Sequence, residues 1–208
     1  MPDRQKSILS LLCLLALTSL FTGCGETVIS EEQKQKRNGL VYTVNQESPF
    51  TGVVVEHYDN GQKRWEERYK DGVKDGIWIE WHKNGQKSYE GSYKGGRFVG
   101  QQDGLWTRWY PNGQKWWEGR YKDGVKDGVW IEWWEDGQMQ SEQNYEDGKE
   151  TGKHTYWYAI RGQKRLESFF KDGLKDGKWT SWHWDGEVAK EATYEDGELI
   201  EEKIYSPE

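Results

Sequence analysis

The stretch from Gly104 to Tyr121, GLWTRWYPNGQKWWEGRY, recurs six times in the 208 residues, starting at Gly52, Gly76, Gly104, Gly128, Gly152 and Gly177. Self-similarity at about 24 residues restricts a chain to an array in which each unit packs on its neighbours. At the centre of the template stands Asn112-Gly113 between residues of high strand propensity. That is the pattern of a hairpin with a two-residue type I′ turn, because both turn positions need a positive φ. Counting outward pairs Pro111 with Gln114 and sets Arg108 opposite Trp117, Trp106 opposite Gly119 and Gly104 opposite Tyr121. All lie on one face, since side chains recur every second residue. The expectation is that a ring on the facing strand covers each strand glycine.

The other units keep this register. Gly76 faces Tyr93 and Gly128 faces Tyr145, with Trp78 and Trp130 in the place of Trp106. In the unit from Gly152 the turn glycine, Gly162, comes one residue late, and so does Phe170. A longer turn around Arg161-Gly162 restores the pair. Between units, Asp-Gly at Asp71, Asp123, Asp147 and Asp172 marks a second set of tight turns. Pairing across them predicts Trp65 opposite Trp78, Trp117 opposite Trp130 and Leu166 opposite Trp179. The two sets of turns together give an all-β, single-layer antiparallel meander of about six hairpins with a capping strand at each end. Leu40 to Val44 is the first cap, paired with the strand starting near Thr51, and Glu198 to Tyr205 is the last, its Glu201, Glu202 and Lys203 guarding the edge. The connection from Tyr93 to Gly104 is four residues longer. Its Phe98-Val99 is expected to tuck back onto the sheet.

The recurring G-x-W-x-x-W-x-x-N-G-Q-K-x-x-E-G-x-Y-K-D-G, plainest from Gly76 to Gly96 and from Gly104 to Gly124, resembles the MORN repeat in its bacterial variant form, the repeat of YwqK-type antitoxin-like proteins. The likeness runs from Gly52 to Gly197. It implies an elongated, twisted, single-layer sheet and carries no catalytic residues. The unit from Gly152 departs most, with His154 where the others have Trp and Arg161-Gly162 for Asn-Gly.

At the N-terminus Arg4 and Lys6 precede an apolar run from Ile8 to Phe21 that ends in Thr22-Gly23-Cys24. This is similar to a bacterial lipoprotein signal, which implies cleavage after residue 23, a diacylglyceryl group on Cys24, and a lipid-anchored protein of the cell envelope. Gly25 resembles the sorting pattern for the outer membrane. Residues 24–39 read as a polar linker and 40–205 as the repeat domain. The whole chain carries a net charge of −7. Asp3, Arg4 and Lys6 leave with the signal, so the mature chain stands at −8. Such acidity excludes nucleic acid as a partner. Cys13 also leaves with the signal, and disulfides play no part in the fold.

The residues that an enzyme needs do not converge. His57, His82, His154 and His183 lie in different units with no metal-ligand spacing, and read as surface or edge histidines. Glu66, Glu90, Glu118, Glu142 and Glu167 repeat at one position, which makes them a ladder rather than a catalytic pair. No cofactor and no metal is expected. What remains is the second face, with Ile77, Ile79, Leu105, Val129 and Ile131 and a stripe of Trp81, Trp109, Trp116, Trp133 and Trp182. Either long polar side chains cover these rings, or they dock a partner. The leading expectation is a non-enzymatic lipoprotein scaffold for protein–protein contact. The alternatives are an antitoxin and a cell-wall glycan binder.

Overall fold

The computed structural model describes residues 26–96, 100–160 and 162–206. The signal, Cys24, Phe98, Val99 and Arg161 lie outside the described residues. In chain order the strands are β1 (Val28–Ser30), β2 (Lys34–Arg37), β3 (Leu40–Thr43), β4 (Gly52–His57), β5 (Lys63–Lys70), β6 (Val73–Trp81), β7 (Lys87–Lys94), β8 (Gln101–Trp109) and β9 (Lys115–Lys122). They continue with β10 (Val125–Trp133), β11 (Met139–Glu146), β12 (Lys149–Glu150), β13 (Gly152–Trp157), β14 (Lys164–Lys171), β15 (Leu174–Lys175), β16 (Gly177–Trp182), β17 (Val188–Glu195) and β18 (Glu198–Ile204). From β4 onward consecutive strands pair antiparallel, with the short β12 and β15 extending their hairpins. The result is one long sheet of tandem hairpins, with no α-helix among the described residues.

Alternation fixes the outer register. Gly52 pairs with Tyr69, Gly76 with Tyr93, Gly104 with Tyr121, Gly128 with Tyr145, Gly152 with Phe170 and Gly177 with Tyr194. The extra residue before Gly162 is absorbed in the turn, where the Tyr158 amide reaches the Gln163 carbonyl at 2.9 Å.

The turns themselves differ from the expectation. Both residues have positive φ at Asp71-Gly72, Asp123-Gly124, Asp147-Gly148 and Asp172-Gly173, so the two-residue type I′ geometry sits between units. At the template centre Gly113 has φ 86° and Asn112 is not in the left-handed region. The Tyr110 amide donates to the Gln114 carbonyl at 2.8 Å and the Gly113 amide to the Tyr110 carbonyl at 2.9 Å. The loop is therefore Pro111-Asn112-Gly113, a type I turn closed by a left-handed glycine. Pro111 suits its first corner, since the ring presets φ. Pro111 does not pair with Gln114.

The glycines, too, differ from the expectation. Pairing across the Asp-Gly turns slips by two residues at Gly128-Val129, so that Trp130 faces Gly119 and Glu132 faces Trp117. The same slip sets Trp78 opposite Glu67, Trp65 opposite Glu80, and Leu166 opposite Ser181. The predicted Trp–Trp and Leu–Trp pairs are thus not cross-strand neighbours, although Trp117 and Trp130 stack diagonally with centroids 5.2 Å apart. The ring that lies on Gly119 comes from the next unit: a Cβ there would sit 2.2 Å from Trp130, and one at Gly91 would sit 2.1 Å from Trp106. A Cβ at Gly104 would meet only Ser92, and at Gly128 nothing within 4 Å. Those two glycines are needed for their φ of 79°, which the slip requires.

The N-terminal end also departs from the expectation. Residues 28–37 are not a spacer: β1 runs parallel to β4, pairing Val28 to Val53 and Ser30 to Val55. Strand β3, read as a cap on β4, pairs instead with β2 in a separate hairpin, joined by the left-handed pair Asn38-Gly39. That hairpin packs at the end of the first face, where Ile29, Val41, Phe50, Val54 and Tyr69 form a buried aliphatic and aromatic cluster. Ile29 and Val28 give the segment too little apolar periodicity to be recognised as a strand; partner strand β4 supplies the rest.

Candidate functional site

The edge of the sheet formed by the glycine turns is fastened from unit to unit. Tyr58 donates to the carbonyl of Trp81 at 2.7 Å, Tyr110 to that of Trp133 at 3.0 Å and Tyr158 to that of Trp182 at 2.8 Å. His82 makes the equivalent contact to the Trp109 carbonyl through Nε2, at 3.0 Å. Asn84 and Asn112 each accept from the amide two residues on and donate Nδ2 to the next turn, at Pro111 and Glu135. Asn in these loops therefore acts through its side chain.

The first face carries a ladder of rings. Trp78, Tyr93, Trp106, Tyr121, Trp130 and Tyr145 follow one another with centroids 5.0 to 6.3 Å apart, mostly edge to face. Trp106 is fully buried and Trp130 nearly so. Lys74, Lys126 and Lys175 place ammonium groups 4.3 to 4.8 Å from the centroids of Trp78, Trp130 and Trp179. Burial pushes the phenols of Tyr93 and Tyr145 up to about 12, so both stay protonated.

His154 is not a surface histidine. It fills the tryptophan place, wholly buried, and its Nε2 meets the Asn144 carbonyl at 2.9 Å as the indoles of Trp130 and Trp179 meet Arg120 and Phe169. Its Nδ1 faces Glu150 at 3.7 Å. Where other units set Lys beside Trp, this one sets Glu beside His.

Between the turn and the ladder the register shifts again. Trp109 pairs with Lys115 while Arg108 pairs with Trp117, leaving Trp116 as an extra residue. The bulge turns Trp116 away from the predicted second-face stripe. Its ring stacks on Tyr110 with centroids 5.2 Å apart and 17° between planes, and Arg108 lies over it at 4.1 Å. Because Arg108 shares a face with Trp117, Trp116 belongs with the first face. The same shift recurs just after Lys63 and Lys87, so Arg64 and Ser88 are the equivalent bulged residues.

These bulges open a groove of about 740 Å³ across the first three hairpins, lined among others by Tyr58, Arg64, Trp65, Tyr89, Arg108 and Trp116. Glu80 and Ser88 also line it, and so do Trp81 and Trp109, whose carbonyls meet Tyr58 and His82 at its turn edge. Arg64 pairs with Glu56 at 3.1 Å. Burial pushes the Glu80 carboxyl above its usual range, against the pull of Arg108 and Arg64. The sequence signal for this groove was present, since Arg64, Ser88 and Trp116 each stand three residues after a turn glycine, but a register counted from a two-residue turn hides it.

The second face keeps Trp81, Trp109, Trp133 and Trp182 at one register, all half-buried. Lys63, Lys115 and Lys164 lie 5.6 to 5.8 Å from the centroids of Trp81, Trp133 and Trp182. Each of these lysines also pairs with the glutamate three residues on, Glu66, Glu118 or Glu167, at 2.6 to 2.8 Å. Glu90 has Lys87 in the same way, whereas Glu142 has Met139 at that position. Trp109 lines a shallow hollow with Ile77, Leu105 and Thr107. Alongside the stripe Ile77, Leu105 and Val129 are each about half exposed, at 49%, 53% and 49%. Among the described residues, no three His, Cys, Asp or Glu side chains come together as metal ligands.

Residues 74–94, 102–123, 126–147 and 175–196 match the family described as MORN repeat variant. These are MORN repeats. MORN repeats are commonly scaffolds for contact with proteins or membranes, and the family is generally non-catalytic. The matched segments take in the hairpins from Gly76, Gly104, Gly128 and Gly177. The units from Gly52 and Gly152 fall outside them, and those two MORN-like units are the ones whose ring place is altered: Val54 and His154 stand where the matched units have Trp. No curated protein matches the chain.

Proposed function

We propose that the chain is a non-catalytic scaffold that docks another protein on the second face of its sheet, held at a bacterial envelope by lipid on Cys24. The observation that carries the docking reading is the run of Ile77, Leu105 and Val129, about half exposed at one register in three consecutive units. Contiguous exposed aliphatic groups favour protein contact, and the lysine-capped tryptophans beside them supply a polar border with ion-paired ammonium groups. Recovery of partners from envelope extracts tests it. The triple variant Ile77→Ser, Leu105→Ser, Val129→Ser should stay folded and lose the partner that the wild type recovers; a folded variant that keeps every partner disproves docking on this face. The anchor has a separate test, since Cys24→Ala should move the protein from the membrane fraction or leave the signal uncleaved.

A further inference from the structure

The groove on the opposite face has a different chemistry, and from it we infer a binding site for an uncharged oligosaccharide. Its charges cancel, with Arg64 and Arg108 against Glu56 and Glu80, and the molecule around it carries −7. A polyanion is repelled by the whole chain and finds no net positive charge in the groove. The groove nevertheless has hydrogen-bonding capacity to spare. Among the described residues Glu80 and Arg108 make no ion pair within 4.0 Å, although the charges of Arg108 and Arg64 act on Glu80 from farther off, and the Ser88 hydroxyl has no hydrogen-bond partner. Half-buried and without a hydrogen-bond donor, the Glu80 carboxylate is costly to desolvate, so a donor from a ligand is favourable there.

An uncharged sugar supplies what these groups lack. Neighbouring hydroxyls donate to the carboxylate of Glu80 and accept from the fork of Arg108. The C–H faces of pyranose rings pack on the aromatic lining formed by Trp65, Tyr89 and Tyr58. A peptide fits less well. On a sheet face the main-chain groups are consumed by the ladder, so only side chains are left to satisfy amides that point alternately to opposite sides. From β5, which carries Arg64, to β9, which carries Trp116, the groove crosses four strand spacings, or ~19 Å, the scale of a short oligosaccharide.

Titration of the full chain with chitohexaose and with cellohexaose, followed by tryptophan fluorescence and calorimetry, tests the site. One of the two should saturate, with an affinity unchanged by added salt. Glu80→Gln and Arg108→Gln should each weaken it about tenfold or more, with unfolding midpoints near the wild type; Ser88→Ala serves if either of them fails to fold. Ile77→Ser, on the other face, should leave it unchanged, which separates this site from the protein-docking face. The inference is overturned if neither hexasaccharide binds, if the groove variants bind as well as the wild type, or if hexaglutamate binds in their place.

Discussion

The middle of the array and its N-terminal end solve one packing problem in opposite ways. In the middle, the strand position facing each tryptophan is empty of side chain: Gly91 lies under Trp106 and Gly119 under Trp130, and those are the two most buried tryptophans. At the N-terminal end the same position holds Glu67, opposite Trp78. The Glu67 carboxylate is buried, bonded by Tyr69 at 2.5 Å and Lys74 at 2.5 Å, and approached by Lys34 at 3.6 Å. The first solution stabilises by ring burial without charge. The second depends on a buried ionic cluster that includes a lysine from the segment read as a spacer.

Replacing a ring should have the largest effect. Trp106→Ala should cost about 3 to 5 kcal/mol in urea unfolding, because a fully buried indole is lost. A smaller cost would mean that neighbouring tyrosines collapse into the space. Next in size, Gly119→Ala should cost about 1 to 3 kcal/mol, since its Cβ would lie 2.2 Å from Trp130. Glu67→Gln belongs in the same range, about 1 to 3 kcal/mol, but for loss of charge-assisted bonds, and added salt should reduce its cost and leave that of Gly119→Ala untouched.

In the unit from Gly152, the register Ser141–Tyr156 and Glu142–Thr155 sets Gln143, in place of glycine, beside His154. His154→Trp alone should destabilise, and His154→Trp with Gln143→Gly should recover stability, giving a coupling of about 1 kcal/mol in a double-mutant cycle. Additive effects would show that the glycine is not what admits the ring.

The smallest effect is the one in pH. Burial alone would raise the Glu67 carboxyl, but the bonds from Lys74 and Tyr69 and the charges of Lys74 and Lys34 outweigh it and hold it below the usual range. A carboxyl lowered in the fold contributes stability that is complete above its unfolded value and is lost as pH falls through its folded value. Amide protection around Val41 and Tyr69 should therefore decline in acid before that around Trp106 and Trp130, and Glu67→Gln should abolish the difference. Equal decline at both places would deny the ionic cluster its role.

Much of this was legible in the residues. The pair of starting glycine and ring holds in every unit, and the reason is a cancellation: the third loop residue, Pro111, is taken from the β8 side and the bulge at Trp116 adds one residue on the β9 side, so Arg108 meets Trp117 by either count. Between turn and bulge the two counts differ by one residue, and Trp116 lies in that interval, so counting from a two-residue turn sets it on the second face. His154 departs from the expectation for a related reason. Its burial follows from its place in the ladder, and its residue type gave no sign of it.

The sequence by itself determined the repeat, the strands and the alternation of faces, because period-two patterning and turn glycines act within a few residues. Only the tertiary structure decided which ring lies on which glycine, where the bulges open a groove, and that residues 28–37 join the fold. Those outcomes turn on the volume of an indole fitted against the neighbouring hairpin and on a partner strand about 25 residues away, and no local pattern in a chain records the space that its neighbours leave.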